Sequence, residues 1–150
     1  MRTVIQRVGR ARVRAGAQEA AIGPGLLLLV GIEAQDTAAT VAWCAAKIAT
    51  LRIFQDAEDR MNLALADTGG EILAVSQFTL AGSVLKGRRP SFDGAMAPGT
   101  ARELFDAFVA ALRAQGCRVA TGFFQEHMEV ELVNDGPVTF VLERRGEQAH

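Results

Sequence analysis

The chain has 150 residues, of which 49% are apolar and 22% charged, and its formal net charge is −1. That is the size of one domain, large enough to fold without a disulfide or metal staple. It is too apolar for a disordered chain and too neutral for a globally basic nucleic-acid binder. With the 15 glycines counted, the apolar share is about 59% against a usual ~45–50%, a surplus that leaves apolar surface for a partner subunit.

Thr3 to Arg14 alternates as a strand does, with Thr3, Ile5, Arg7, Gly9, Ala11 and Val13 on one face. Ala15-Gly16-Ala17 is a turn, Gln18 to Ile22 a returning strand, and Gly23-Pro24-Gly25 a second turn. Leu26 to Ile32 is continuously apolar, the pattern of a strand buried on both faces. The run from Ile22 to Ile32 is too short and too broken by Gly and Pro to span a bilayer. The N-terminus carries no apolar signal region. A cytoplasmic location is therefore expected, with Cys44 and Cys117 as reduced, buried thiols.

Asp36 or Thr37 can cap a helix reaching Leu51, whose buried stripe is Val41, Cys44, Ala45, Ile48 and Leu51. Arg52 to Gln55 reads as a brief strand, Asp56 to Arg60 as a loop and Asp67 to Gly70 as a turn. Glu71 to Phe78 reads as a central strand, and Ala81 to Gly99 as a long loop carrying Lys86, Arg88 and Arg89. Thr100-Ala101-Arg102-Glu103 has the form of a capping box and opens a helix to Gln115, stopped by Gly116. Cys117 to Thr121, Met128 to Val133 and Val138 to Leu142 are three more strands. The sum is an α+β domain, with two main helices gathered on one side of largely antiparallel sheets. It spans residues 1–143, and a polar tail expected to fray covers 144–150.

Catalytic side chains are hard to find. G-x-S-x-G is missing, and His127 is the one realistic imidazole base, His150 being the last residue. No Cys/His cluster has metal-ligand spacing, so no metal and no cofactor are expected. Most carboxylates read as solvated surface charge.

Two segments resist that bland reading. Ser76-Gln77-Phe78-Thr79-Leu80 lies where a buried strand runs out into a loop. Its polar residues are either edge solvation or part of a bend that aims successive N–H groups into one cavity, where they can hold an oxyanion. Asn134-Asp135-Gly136-Pro137-Val138-Thr139 lies between two apolar strands. A simple hairpin turn is the reading physics alone favours there, although an X-Pro bond can be cis.

These two segments resemble the signature motifs of the D-aminoacyl-tRNA deacylases. Ile5-Gln6-Arg7-Val8, Arg52-Ile53-Phe54, Met61-Asn62-Leu63 and Arg89-Pro90-Ser91-Phe92 resemble that family too, and in its order, from Arg2 to about Leu142. The resemblance implies a three-layer α/β/β homodimer that hydrolyses the ester between a D-amino acid, or mischarged glycine, and the 3′ terminal adenosine of tRNA. It implies that Gly136-Pro137 is a cis peptide inserted into the other subunit's site, where it blocks an L side chain. Ser76, Gln77, Phe78 and Thr79 would line the reacting centre, with Phe78 and Thr79 N–H groups on the oxyanion, Gln77 positioning ester or water, and the ribose 2′-hydroxyl assisting. Thr79 as a covalent nucleophile is the minor alternative.

Arg7 either points inward and holds the Gly136-Pro137 loop, as the resemblance implies, or is exposed at a bulge marked by Gly9. Met128 is either core filler or a wall of the amino-acid pocket. Arg10, Arg12 and Arg14 on one strand face, and Lys86, Arg88 and Arg89 in one loop, are either scattered surface cations or tRNA phosphate contacts. Neither DNA nor a membrane is expected as a partner. The rival classes are a non-catalytic dimeric RNA-binding module, a metal-dependent esterase and a serine esterase acting through Ser76.

Overall fold

A computed structural model of the chain describes residues 1–146. In chain order the elements are β1 (Arg2–Ala15), β2 (Gln18–Ile22), β3 (Gly25–Gly31), α1 (Ala38–Thr50), β4 (Phe54–Gln55), β5 (Met61–Leu63), α2 (Leu65–Thr68), β6 (Glu71–Ser76), a 3-10 turn (Phe78–Ala81), α3 (Pro98–Ala114), β7 (Arg118–Thr121) and β8 (Glu129–Glu143).

The long strand β1 organises the main sheet. On one edge, Arg2–Val8 runs antiparallel to β3 and Ala11–Ala15 antiparallel to β2. β8 runs antiparallel along the other edge, from Arg2 to Arg14. Beyond β3 the sheet turns parallel, β3 to β6 and β6 to β7. The sheet is therefore mixed rather than largely antiparallel. Parallel neighbours need a crossover, and α1 and α3 lie in the two crossovers.

Period-two alternation divides the central strands between two apolar clusters. Leu26, Leu28, Val30, Ile72 and Ala74 pack with Val41, Cys44 and Ile48 of α1 and Phe105, Phe108 and Leu112 of α3. Leu27, Leu73 and Val75 pack instead with Val8, Ala11, Val13 and Ile22. The continuously apolar strand is thus buried on both faces, as its sequence requires. β1 serves both clusters, through Ile5 in one and Val8, Ala11 and Val13 in the other. A register shift between Val8 and Arg10 makes this possible. One extra residue there swaps which parity faces which side.

Thr37 caps α1, its side chain accepting the Thr40 N–H at 3.3 Å. The Thr100–Glu103 capping box does not form. α3 begins at Pro98, which is well suited to a first helical turn because its missing N–H would be unsatisfied there anyway. Thr100 therefore lies inside the helix. The expected strand at Arg52 shrinks to Phe54–Gln55, and the one-turn helix α2 was not expected. Arg144, the first residue of the expected tail, donates its N–H to the Met1 carbonyl at 2.9 Å, and its guanidinium lies over Trp43. The remainder of the expected tail, 147–150, lies outside the described residues. Among the described residues no helix is long and apolar enough to cross a membrane.

Candidate active site

β6 leaves the core abruptly. Ile72 to Val75 are buried and Ser76 is half-buried. The Gln77 N–H still donates to the Val30 carbonyl, at 2.8 Å, one residue beyond the strand. The chain then tightens into the 3-10 turn, whose first bond runs from the Leu80 N–H to the Gln77 carbonyl at 3.2 Å. The Phe78 and Thr79 N–H groups precede that bond, so they have no acceptor within the turn. Gln77 Nε2 donates to Thr79 Oγ1. The exposed Phe78 ring rests on Phe92, with centroids 5.2 Å apart.

Ser76, Gln77 and Phe78 form one wall of a cleft of about 690 Å³, whose apolar lining includes Met96, Phe124 and Met128. Met128 also packs against the second apolar cluster, and its sulfur accepts the Phe123 N–H at 3.3 Å. His127 lines the same cleft, yet among the described residues no hydrogen bond joins it to Ser76. A base-activated serine lacks its essential contact there.

The Gly136-Pro137 peptide is cis. Its segment is not a hairpin turn. β8 runs along β1 on both sides of it, pairing Thr139 with Gln6 and Asn134 with Val8. The residues between loop out opposite Arg7. Asn134 closes that loop with its own amide, Oδ1 accepting the Val138 N–H at 2.6 Å and Nδ2 donating to the Val138 carbonyl at 3.1 Å. These bonds stand in for the interrupted ladder, which is why the loop need not reverse the chain.

Arg7 is buried, although the bulge at Gly9 is present as well. Its Nε donates to the Asp135 carbonyl and its Nη1 to the Ile53 carbonyl, both at 2.9 Å. The Asp135 carboxylate lies 3.6 Å from Nε. Gly136 and Pro137 themselves are exposed and do not line the cleft of their own chain.

Lys86, Arg88 and Arg89 sit at the exposed tip of a loop pinned at its base by paired Ser83 and Ser91 backbone bonds of 2.7 and 2.9 Å. They too lie outside the cleft, although Phe92 at the loop's base lines it. The strand-face cations are partly spent within the sheet. Arg12 pairs with Glu131, holding that carboxyl below its ordinary range by a hydrogen bond first and by charge second. Arg14 lies 3.8 Å from Glu19. Burial pushes the Cys44 thiol up to about 11 and raises that of Cys117, so both stay protonated near neutrality.

The sequence reading missed the Asn134 clasp and the Phe92 platform. Asn at the start of a Gly-Pro segment was the available signal for the first. An aromatic after Pro90-Ser91 is no signal by itself.

Residues 4–143 match the family described as D-Tyr-tRNA(Tyr) deacylase. The chain belongs to this family. It is 57% identical over 145 residues to the D-aminoacyl-tRNA deacylase of Pelobacter propionicus, covering 96% of this chain and 100% of that relative. The enzyme of the same name from Koribacter versatilis is 54% identical over 148 residues, covering 98% and 99%. Among solved structures, the c-Myc DNA Unwinding Element Binding Protein superposes with a TM-score of 0.89 at 40% identity, over 96% of this chain and 99% of that one. A probable eukaryotic D-amino acid tRNA deacylase superposes at 0.82 with 19% identity, over 94% and 97%, a likeness of fold alone.

Proposed function

We propose that this family member hydrolyses the ester of D-aminoacyl-tRNA, and of glycine mischarged on tRNA, by backbone chemistry. The observation that carries the reading is the pair of N–H groups, Phe78 and Thr79, that have no acceptor within the turn, with Phe78 on the wall of an apolar cleft and Thr79 next to it in the chain. Two such donors stabilise a tetrahedral oxyanion without a charged side chain. Gln77 positions the ester or the attacking water, the ribose 2′-hydroxyl assists it, and Met128 bounds the amino-acid pocket.

The working unit in this reading is a cytoplasmic homodimer of three-layer α/β/β subunits, each a single domain over 1–143. Its support is the edge strand β8, where Val130, Val133, Phe140 and Val141 are exposed. Gly136-Pro137 lies along that same edge and away from its own chain's cleft, so a partner's cleft is the one it completes. There its carbonyls meet the substrate's amino group and its backbone excludes an L side chain. The decisive test uses matched D- and L-aminoacyl-tRNA, the same amino acid on the same tRNA, with EDTA present. Release of the D form alone is expected. Release of neither, with tRNA still bound, would replace catalysis by the RNA-binding module.

Thr79→Ala is expected to keep the single-turnover rate within about tenfold, because only Gln77's side-chain acceptor is removed. Removal of a true covalent nucleophile costs on the order of 10⁶-fold, so a loss of that size would restore the nucleophile.

Lys86, Arg88 and Arg89 are the proposed phosphate-binding cations. Arg88→Glu with Arg89→Glu should raise the tRNA half-saturation concentration severalfold and reduce its salt slope by about 1 for each phosphate no longer neutralised. An unchanged value at low salt would remove the loop from the tRNA interface. A second reading, nucleic-acid binding as the main role, draws on the solved relative named for binding a DNA unwinding element. Catalytic editing predicts that excess duplex DNA leaves the D-aminoacyl-tRNA rate unchanged.

A further inference from the structure

We propose that Arg2 is a positioning residue for the reaction centre, locking the Phe78–Ala81 turn from the far end of β1. Its Nη1 donates to the Leu80 carbonyl at 2.8 Å. Behind it, Nε lies 2.7 Å from the Glu143 carboxylate without hydrogen-bonding geometry, and Nη2 lies 4.0 Å from that of Glu33, so the Leu80 carbonyl is the guanidinium's hydrogen-bonded partner among the described residues. The side chain is one-third exposed, so a merely solvated arginine was available and is not what forms.

The turn is held from outside at two further points. The Gln77 N–H is held by the Val30 carbonyl before the turn, while the Gly82 N–H to Thr79 carbonyl bond is the turn's own. Gly31, which pairs with Arg2 across the sheet, lies directly beneath it. A Cβ on Gly31 would come 2.8 Å from Leu80 Cβ and 3.1 Å from the Gln77 carbonyl oxygen. Both of those atoms belong to residues flanking the Phe78 and Thr79 N–H groups.

The chemistry explains why such a grip matters. Oxyanion donors act only if aimed at where the charge develops, and the guanidinium bond to the Leu80 carbonyl fixes the plane of the Leu80–Ala81 peptide, two peptides after the one that carries the Thr79 N–H. A short 3-10 turn has weak internal bonds, so an external anchor sets its orientation. Arg2 touches no reacting atom in this scheme.

This inference rests on the deacylase reading of the same turn, and the test separates the two. Wild type, Arg2→Ala, Arg2→Lys, Gly31→Ala and Glu143→Gln are compared as full chains on D-aminoacyl-tRNA. Backbone amide hydrogen exchange of residues 77–82 is followed in parallel. Arg2→Ala and Gly31→Ala should lower kcat about tenfold or more, within the ~100-fold that a 1 Å misplacement can cost, while KM stays within about twofold. Arg2→Lys keeps one donor for Leu80 and should recover part of the rate. Glu143→Gln leaves the Leu80 bond in place and should stay near wild type. Exchange at Leu80 and Gly82, whose N–H groups bond the Gln77 and Thr79 carbonyls, should quicken in Arg2→Ala while β1 and β3 stay protected. Wild-type kcat and unchanged exchange in Arg2→Ala would overturn the inference, as would a loss that lysine does not relieve and Glu143→Gln equals. An inactive wild type would instead overturn the deacylase reading, with the exchange data still reporting whether Arg2 holds the turn.

Discussion

Arg7→Ala is expected to lower both the stability of the fold and the deacylation rate, and to do so by one cause. The guanidinium is 5% exposed and serves two carbonyls from distant segments, Asp135 of β8 and Ile53 just before β4. Truncation leaves both without a donor, at ~1–3 kcal/mol for the buried Ile53 carbonyl and less for that of the exposed Asp135, which water can reach. The side chain also fills volume that alanine does not. A loss of about 2–4 kcal/mol corresponds to a fall in Tm of roughly 5–15 °C for a domain of this size. The Asp135–Val138 loop loses its inward anchor at the same time, so kcat/KM should fall about 100-fold, the scale of a 1 Å displacement. Urea denaturation and D-aminoacyl-tRNA turnover on the same preparation check the pair. Arg7→Lys can reach only one carbonyl and should fall between. A stable Arg7→Ala with the full rate would mean that the loop holds itself through Asn134 alone.

The same residue shows how far the sequence could be read. Alternation placed Arg7 on the inward face of β1, and a buried cation must find acceptors. Pattern alone does not say which acceptors, because Ile53 and Asp135 are 46 and 128 residues away; the family resemblance points to the Gly136-Pro137 loop, and nothing points to Ile53. In the fold the short segments that carry the family resemblance meet one another. Arg7 joins the Ile53 and Asp135 segments. Arg52 Nε donates to the Asn62 carbonyl at 2.9 Å. Phe92 stacks on Phe78. Local pattern names the parts, and only long-range pairing decides their neighbours.

Strand and helix identities were legible wherever periodicity ran long, as in β1, β3, α1 and α3. Misreadings fell where two local signals competed. Thr-x-x-Glu at Thr100 is a sound capping pattern, but Pro98 two residues earlier already suits the first turn, and the helix takes the earlier start. The Asn134–Pro137 segment has the composition of a reversal. Asn134's side chain instead supplies the bonds that let β8 resume along β1. Turn chemistry and bulge chemistry use the same residues, so composition cannot separate them. The turn at Phe78–Ala81 hides for a related reason. Its apolar residues extend the strand pattern, while the end of the strand is set by the lack of a further parallel partner.

Gly136→Ala is expected to remove most activity while leaving the fold largely intact. Gly136 has φ +149°, and a Cβ there would come 2.6 Å from Val138 Cγ2 and 2.8 Å from the Val138 nitrogen. That nitrogen donates to Asn134 Oδ1, so the loop must open at its own clasp. The segment is exposed, which limits the stability cost to the ~1–3 kcal/mol of a locally strained backbone. The rate should fall about 100-fold or more, and the preference for the D form should shrink as the excluding backbone moves away. Mixing decides whether the loop acts in trans. A Gly136→Ala subunit keeps a sound Ser76–Thr79 turn, and a Gln77→Ala subunit keeps a sound loop. In a two-fold dimer with crossed sites, random mixing makes about a quarter of all sites intact. In a dimer whose loop serves its own cleft, no mixture restores any. Recovered turnover on D-aminoacyl-tRNA after co-refolding the two inactive variants is the expected result. Its absence, with mixed dimers verified by mass, would confine the loop to its own subunit.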